Sequence, residues 1–274
     1  MQKNLFGEQE EILFPEIVEQ PVMWGYFRDL HQADKYKAIV DFDTGKVFSI
    51  VSRDYKLIRH EEAIEQIEEA IYKAPELGGY KFTTEFYNDG GHMRRKYDFP
   101  GILVDIDKGD KVNLQLHLFN SYDVTWPFIV ILGAFRFVCE NGLVIGKKFF
   151  LLRKRHVYRL EEMNIEKQVS SAIDRFNLQT GQWKEWADQL LTDKAYDQVM
   201  NTMKLGKKAL KEIKERLTQE SDGFGDNGIQ IISVWLFFNV LTWYITHRAA
   251  SLNHRVNMEN RLRSAIQGFP AKKG

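Results

Sequence analysis

The apolar residues of this chain change their period once, near residue 160, and that change limits the fold more than any other feature. Before it, β-prone runs are joined by turn residues. Tyr36 to Phe42 and Lys46 to Ser52 flank Asp43-Thr44-Gly45. Tyr80 to Tyr87 runs into Asn88-Asp89-Gly90-Gly91 and returns through Met93 to Phe99. Ile102 to Ile106 turns through Asp107 to Asp110 into Val112 to Phe119. Each pattern predicts a hairpin, because two extended runs meet around a short loop that contains glycine. In the last run Val112, Leu114, Leu116 and Leu118 share one face, while Asn113, Gln115, His117 and Phe119 share the other. A period of two predicts one buried face and one available face. Phe128 to Cys139 is apolar and fits a buried strand or a helix. Asn141-Gly142 is a strong turn signal, and Leu143 to Leu152 returns as a strand.

Helical spacing appears first after Glu61, where Ile64, Ile67, Ala70 and Ile71 form one stripe. It dominates after Leu160. Val169, Ala172, Ile173 and Phe176 mark one helix, and Trp183, Trp186, Leu190 and Leu191 a second. Lys204 to Leu217 is amphipathic and rich in lysine. Ile229 to Ile245 is strongly apolar, yet about one turn short of a bilayer span and punctuated by polar residues, which predicts a core helix over Ile229 to His247. Its Asn239, Thr242 and His247 need partners and are expected to tie the helix to the sheet. Strands first and helices last predict an α+β fold: an antiparallel, hairpin-rich sheet in the N-terminal half, packed with C-terminal helices. The expected organisation is an acidic, partly irregular segment over residues 1–34, serving as an arm or lid, then a β-rich core over 35–159. A helical part of the same domain follows over 160–250, and 251–274 is a polar, frayed tail.

Charge and cysteine content narrow the class. The formal net charge is zero, which argues against indiscriminate polyanion binding. One cysteine, Cys139, permits no internal disulfide, and residues 1–20 lack an apolar signal core. A reducing, cytoplasmic setting without membrane contact is the expectation.

No catalytic motif emerges. Gly142 to Lys148 resembles a phosphate-binding loop but is one residue short between its glycines, and Lys148 stands where Ser or Thr must hold magnesium. The histidines (His31, His60, His92, His117, His156, His247 and His254) form no zinc-type spacing. Asp41 with Asp43, and Asp105 with Asp107, sit at hairpin ends, where aspartate serves turns. No cofactor, metal or catalytic residue is assigned. The informative stretch is Lys147 to Arg159. Lys147, Lys148, Arg153, Lys154, Arg155, His156 and Arg159 occur there without an acidic residue, interleaved with Phe149, Phe150 and Tyr158. Cations that follow phosphates, beside rings that stack on bases, are what single-stranded nucleic acid requires. The structural alternative is a sheet edge guarded by positive charge. Arg94, Arg95 and Lys96 form a smaller candidate patch. These residues predict a binder of single-stranded nucleic acid. A metal-dependent nuclease using Asp105, Asp107, Asp123 or His156 is the alternative, and binding of a host protein through the acidic N-terminal segment is a third reading.

Asn120-Ser121-Tyr122-Asp123, then Gly133 to Val144 with Arg136, Asn141 and Gly142, resembles the phage/plasmid-like protein family called domain of unknown function 932. Val51 to Leu57 and Trp235 to His247, with Asn239 and His247, extend the resemblance. Val124-Thr125-Trp126-Pro127 departs from the small residues usual after the Asp of the motif. The resemblance implies a phage- or plasmid-encoded protein acting in the bacterial cytoplasm. It also implies a role in replication or recombination, such as strand annealing by a homo-oligomer.

Overall fold

Three strands open the chain: β1 (Ile17–Tyr26), β2 (Asp29–Asp41) and β3 (Val47–Ser52), antiparallel in the order β1-β2-β3. The computed structural model describes residues 14–107, 110–136, 148–154, 165–221, 223, 231–249 and 252–266. After helix α1 (His60–Tyr72), a five-stranded sheet runs β4 (Lys81–Tyr87), β5 (His92–Asp107), β6 (Asp110–Ser121), β7 (Phe128–Arg136) and β8 (Lys148–Lys154), each strand beside the next. Helices α2 (Ile165–Asp188), α3 (Asp193–Met203), α4 (Lys207–Glu220), α5 (Val234–Arg248) and α6 (Leu252–Ile266) follow. The fold is α+β.

Two compact units are present. The first holds Met1–Leu103, Asn113–Ala134 and Lys147–Phe176; the second holds Val104–Val112, Phe135–Gly146 and Asn177–Gly274. The first is organised around Tyr122, which has no exposed surface. Its ring stacks on His60 at 4.0 Å and tilts against Phe48 at 5.6 Å. Its N–H donates to Gly91 O (2.8 Å), and its carbonyl accepts from Ser49 Oγ (2.7 Å). Its hydroxyl accepts the His60 N–H (2.9 Å), one of the donors that a helix start leaves without an intrahelical partner. One residue thus links both sheets and the start of α1. Ile17, Ile39, Val51 and Tyr55 close the cluster around it. A Cβ at Gly91 would meet the Phe48 ring at 2.8 Å, so that ring would have to shift for any larger residue.

The second unit has its own core. Val199 and Met203 of α3, Ile213 and Leu217 of α4, Phe237, Val240 and Leu241 of α5, and Met258, Leu262 and Ala265 of α6 are all buried in it. Helix α5 begins after Ser233, whose Oγ accepts the Leu236 N–H (3.1 Å), so it starts later than its apolar run. Trp235 Nε1 donates to Asp110 (2.7 Å). Among the described residues no helix is long and apolar enough to cross a membrane.

Over the described residues the strand and helix patterns hold with five corrections. Residues 17–34 are largely strand: the boundary at 34 falls inside β2. Strand β5 runs unbroken through Pro100, which lies beyond the last β4 pair at Asp98, so no β4 residue needs a donor there. Helix α2 is one helix, since nothing between Phe176 and Trp183 caps it and Gly181 is tolerated inside it. Residues 252–266 form α6, whose buried Met258, Leu262 and Ala265 are spaced by four and three among polar neighbours. Helix α3 went unread for the same reason: its apolar face is only Val199, Met200 and Met203.

Tyr122→Phe keeps the ring but strands the buried His60 N–H. It is expected to destabilise the protein by about 1–3 kcal/mol, read as a lower urea midpoint with an unchanged slope.

Candidate functional site

Alternation sorts the five-stranded sheet into a core face and a second face. Met93, Arg95, Tyr97 and Phe99 of β5, the four apolar residues of β6, Val130 of β7 and Leu152 of β8 are buried on the first. The second face takes the residues between them. β4 contributes Lys81, Thr83, Glu85 and Tyr87, all exposed and paired in register with Asp98, Lys96, Arg94 and His92 of β5. β6 contributes Asn113, Gln115, His117 and Phe119. In β8, Leu151 and Arg153 are exposed opposite Ile131 and Ile129 of β7. Lys81, Arg94, Lys96 and Arg153 therefore stand on this face against Glu85 and Asp98.

The face is less open than its period suggests. Asn113 and His117 are buried, and Asp98 accepts hydrogen bonds from both Asn113 and Gln115. Burial, with the charges of Arg94 and Lys96 beside it, lowers the His117 pKa to about 4, so this imidazole is neutral at pH 7. Arg94 pairs with Glu85 (3.4 Å) and lies over Phe119; Lys96 pairs with Asp98 (2.9 Å).

Arg95 does not belong to the patch. It is only 5% exposed, bonds Glu68 at 2.7 Å and Thr84 at 3.2 Å, and lies 3.8 Å from the Phe82 ring centroid. The cause is the pleat: its neighbours Arg94 and Lys96 point the other way. Arg153 stands exposed on the sheet edge. Lys148, Phe149 and Lys154 contribute backbone to β8. Lys147, Arg155, His156, Tyr158 and Arg159 lie outside the described residues, as do Asn141 and Gly142.

At the β4–β5 turn end of this face the Asn-Ser-x-Asp motif builds a polar junction. Asn120 Nδ2 donates to Ile58 O (2.8 Å) and His60 Nδ1 (3.0 Å), so His60 is protonated at Nε2, which bonds Gly90 O (3.0 Å). Ser121 Oγ donates to Trp126 O (3.0 Å) and accepts its N–H (3.1 Å), closing the loop between them. Asp123 accepts from Thr125 Oγ1 (2.6 Å), Thr125 N–H (3.1 Å) and Asn88 Nδ2 (3.2 Å). His92 Nε2 stands 2.6 Å from Asp123 Oδ2. A carboxylate only accepts, so that nitrogen carries the hydrogen. Burial raises the Asp123 pKa, but the bonds from Thr125 and His92 outweigh it and hold the carboxyl below its ordinary value. His92 stacks on Trp126 at 4.3 Å, and Trp126 meets Tyr87 and Phe119 edge-on. Val124 sits in this loop at φ 59°, a conformation that costs a β-branched residue energy. That is the point where the sequence departs from small residues.

Val47, the first residue of β3, and Ile266, the last of α6, bound the stretch matched by the family model described as Domain of unknown function (DUF932), residues 47–266. The chain belongs to this family. No curated protein and no solved structure matches it significantly. In this DUF932 chain, Arg136 ends β7, while Asn239 and His247 lie in α5. Thr242 donates to Phe238 O and Asn239 O, and His247 Nδ1 lies 2.9 Å from Trp243 O. These bonds return to the same helix and do not tie it to a sheet. The Asn239 Nδ2 is buried without a partner among the described residues.

Among the described residues no three His, Cys, Asp or Glu side chains gather as a metal site. Asp41 serves its turn as expected, accepting from the Asp43 and Thr44 N–H groups (3.0 and 3.2 Å). Sequence reasoning missed Tyr87, His92 and Trp126. The hairpin register around Asn88 to Gly91 signals the first two; nothing local signals the third.

Two results are expected. Val124→Asn relieves the left-handed strain and stabilises the protein by about 1 kcal/mol, measured by thermal unfolding. Asp123, with its pKa depressed, gives stability that is complete above the unfolded aspartate value of about 3.9 and is lost as pH falls through the lower folded value. The stability gap between wild type and Asp123→Asn should therefore close on acidification.

Proposed function

We propose that this DUF932 protein binds single-stranded nucleic acid, DNA foremost, on the second face of its five-stranded sheet. The setting would be replication or recombination of a phage or plasmid in a bacterial cytoplasm. One observation carries the reading. Arg94, Lys96 and Arg153 stand on the same sheet face as Tyr87, Phe119 and Trp126. Cations spaced along strands track a phosphate backbone, and rings between them offer stacking worth roughly 1–3 kcal/mol per base. The Glu85 and Asp98 pairings do not block this. Both are partly exposed, and such pairs contribute about 0–1 kcal/mol, so a phosphate can replace the carboxylate at little cost. Neutral His117 beneath the cations adds no competing charge. The chain's zero net charge fits a local site better than a generic basic surface.

Fluorescence anisotropy with a labelled single-stranded oligonucleotide across a salt series tests the reading. Affinity should fall steeply with salt. Lys96→Glu and Arg153→Glu should each weaken binding and flatten the log–log slope by about 0.7, the value for one lost single-strand phosphate contact. Tyr87→Ala should weaken binding with the slope unchanged. Equal binding by wild type and the Arg94→Glu, Lys96→Glu, Arg153→Glu triple variant, or no binding at low salt, would remove the proposal.

A further inference from the structure

The β1–β2 hairpin continues past the sheet that anchors it. The last β2–β3 pair is Tyr36 with Ser52, whereas β2 begins at Asp29. Lys35 O still accepts the Arg53 N–H (3.0 Å), so the six residues Asp29 to Asp34 and the facing part of β1 form a two-stranded ribbon, roughly 20 Å long at a strand's rise per residue. Met23, Trp24, Tyr26, Phe27 and Leu30 are 48% to 96% exposed along it. Trp24 packs against the His31 ring across the ribbon, at 5.0 Å. Two-stranded ribbons are marginally stable by themselves, and a cluster of exposed rings on one marks an interaction surface. The ribbon also lies outside the stretch that matches the family.

We propose that this ribbon is an assembly arm, which docks by strand addition onto the free edge of β3 in a second copy of the chain. Three observations select that occupant. Among the described residues β3 ends its sheet, so one row of its backbone groups has no strand partner, and the outer edge of β2 has none from Asp29 to Asp34. Two such edges are templates for one another. β3 also presents exposed Val47 and Ile50 as an apolar counterpart to the arm's rings. Charge agrees: over residues 21–34 the arm carries Arg28 against Asp29 and Asp34, while Arg53 follows β3 and Lys46, which pairs with Asp89 (2.9 Å), precedes it. A slightly acidic arm repels a phosphate backbone, which disfavours nucleic acid as its occupant. Arm and receptor are different surfaces of one chain, so the contact is head-to-tail. It generates closed rings or open filaments rather than an isologous dimer.

Sedimentation velocity of the full chain over a concentration series tests this. Wild type should form species larger than a dimer. A variant with Trp24→Ala, Tyr26→Ala and Phe27→Ala should sediment as a monomer with an unchanged circular dichroism spectrum, and Ile50→Lys should do the same from the receptor side. In a Cys139→Ser background, Leu30→Cys and Ile50→Cys proteins should form an intermolecular disulfide when mixed, and neither should do so alone. A monomeric wild type, or an arm variant that assembles like wild type, would overturn the assignment. So would an arm variant that keeps its assembly but loses oligonucleotide binding. Arg153→Glu separates this proposal from the binding reading, because it should weaken oligonucleotide binding and leave assembly intact.

Discussion

Hydrogen bonds to a buried tyrosine hold the first unit together. Tyr122 buries a large ring, which favours the folded state, but it also takes a hydroxyl and a peptide group out of water. Each such group is costly to leave unpaired. The fold meets that cost with Gly91, Ser49 and His60, drawn from three separate elements. The same demand fixes the residues beside it. Asn120 sets the His60 tautomer, and Ser121 and Asp123 shape the loop that carries Trp126. The Asn-Ser-x-Asp motif therefore reads as a junction that positions side chains for the sheet face.

The pleat of β5 then decides which cations are available. Arg94, Arg95 and Lys96 are consecutive, yet one is a core residue held by Glu68 and two aromatic rings. A buried guanidinium with a carboxylate partner anchors α1 to the sheet, because Glu68 lies in that helix. Its neighbours remain at a partly exposed surface where ion pairs are weak and exchangeable. Function and stability are thus divided between adjacent residues by a rotation of about 180° per residue along the strand.

Backbone pairing gives the first unit one more property. Among the described residues no further strand pairs with either end of its three-stranded sheet, and natural sheets usually guard such edges. Pro21 on β1 is one guard, since proline offers no donor to an incoming strand. β3 has no proline and carries exposed apolar side chains, so the two edges of one sheet are chemically unequal.

The sequence by itself determined the order and type of most elements. Alternation in Val112 to Leu118, the turns at Asp43 to Gly45 and Asn88 to Gly91, and the stripe from Ile64 to Ile71 are local signals, and each became the expected element. It did not determine which charged residues face solvent, whether Phe176 and Trp183 share a helix, or that residues 252–266 fold. Those outcomes depend on burial against distant residues. His60 meets Asn120 across 60 positions, and Arg95 meets Glu68 across 27. Periodicity is written in neighbouring residues because the backbone repeats every two or 3.6 of them. The partners of a buried polar group are chosen only when the chain closes on itself.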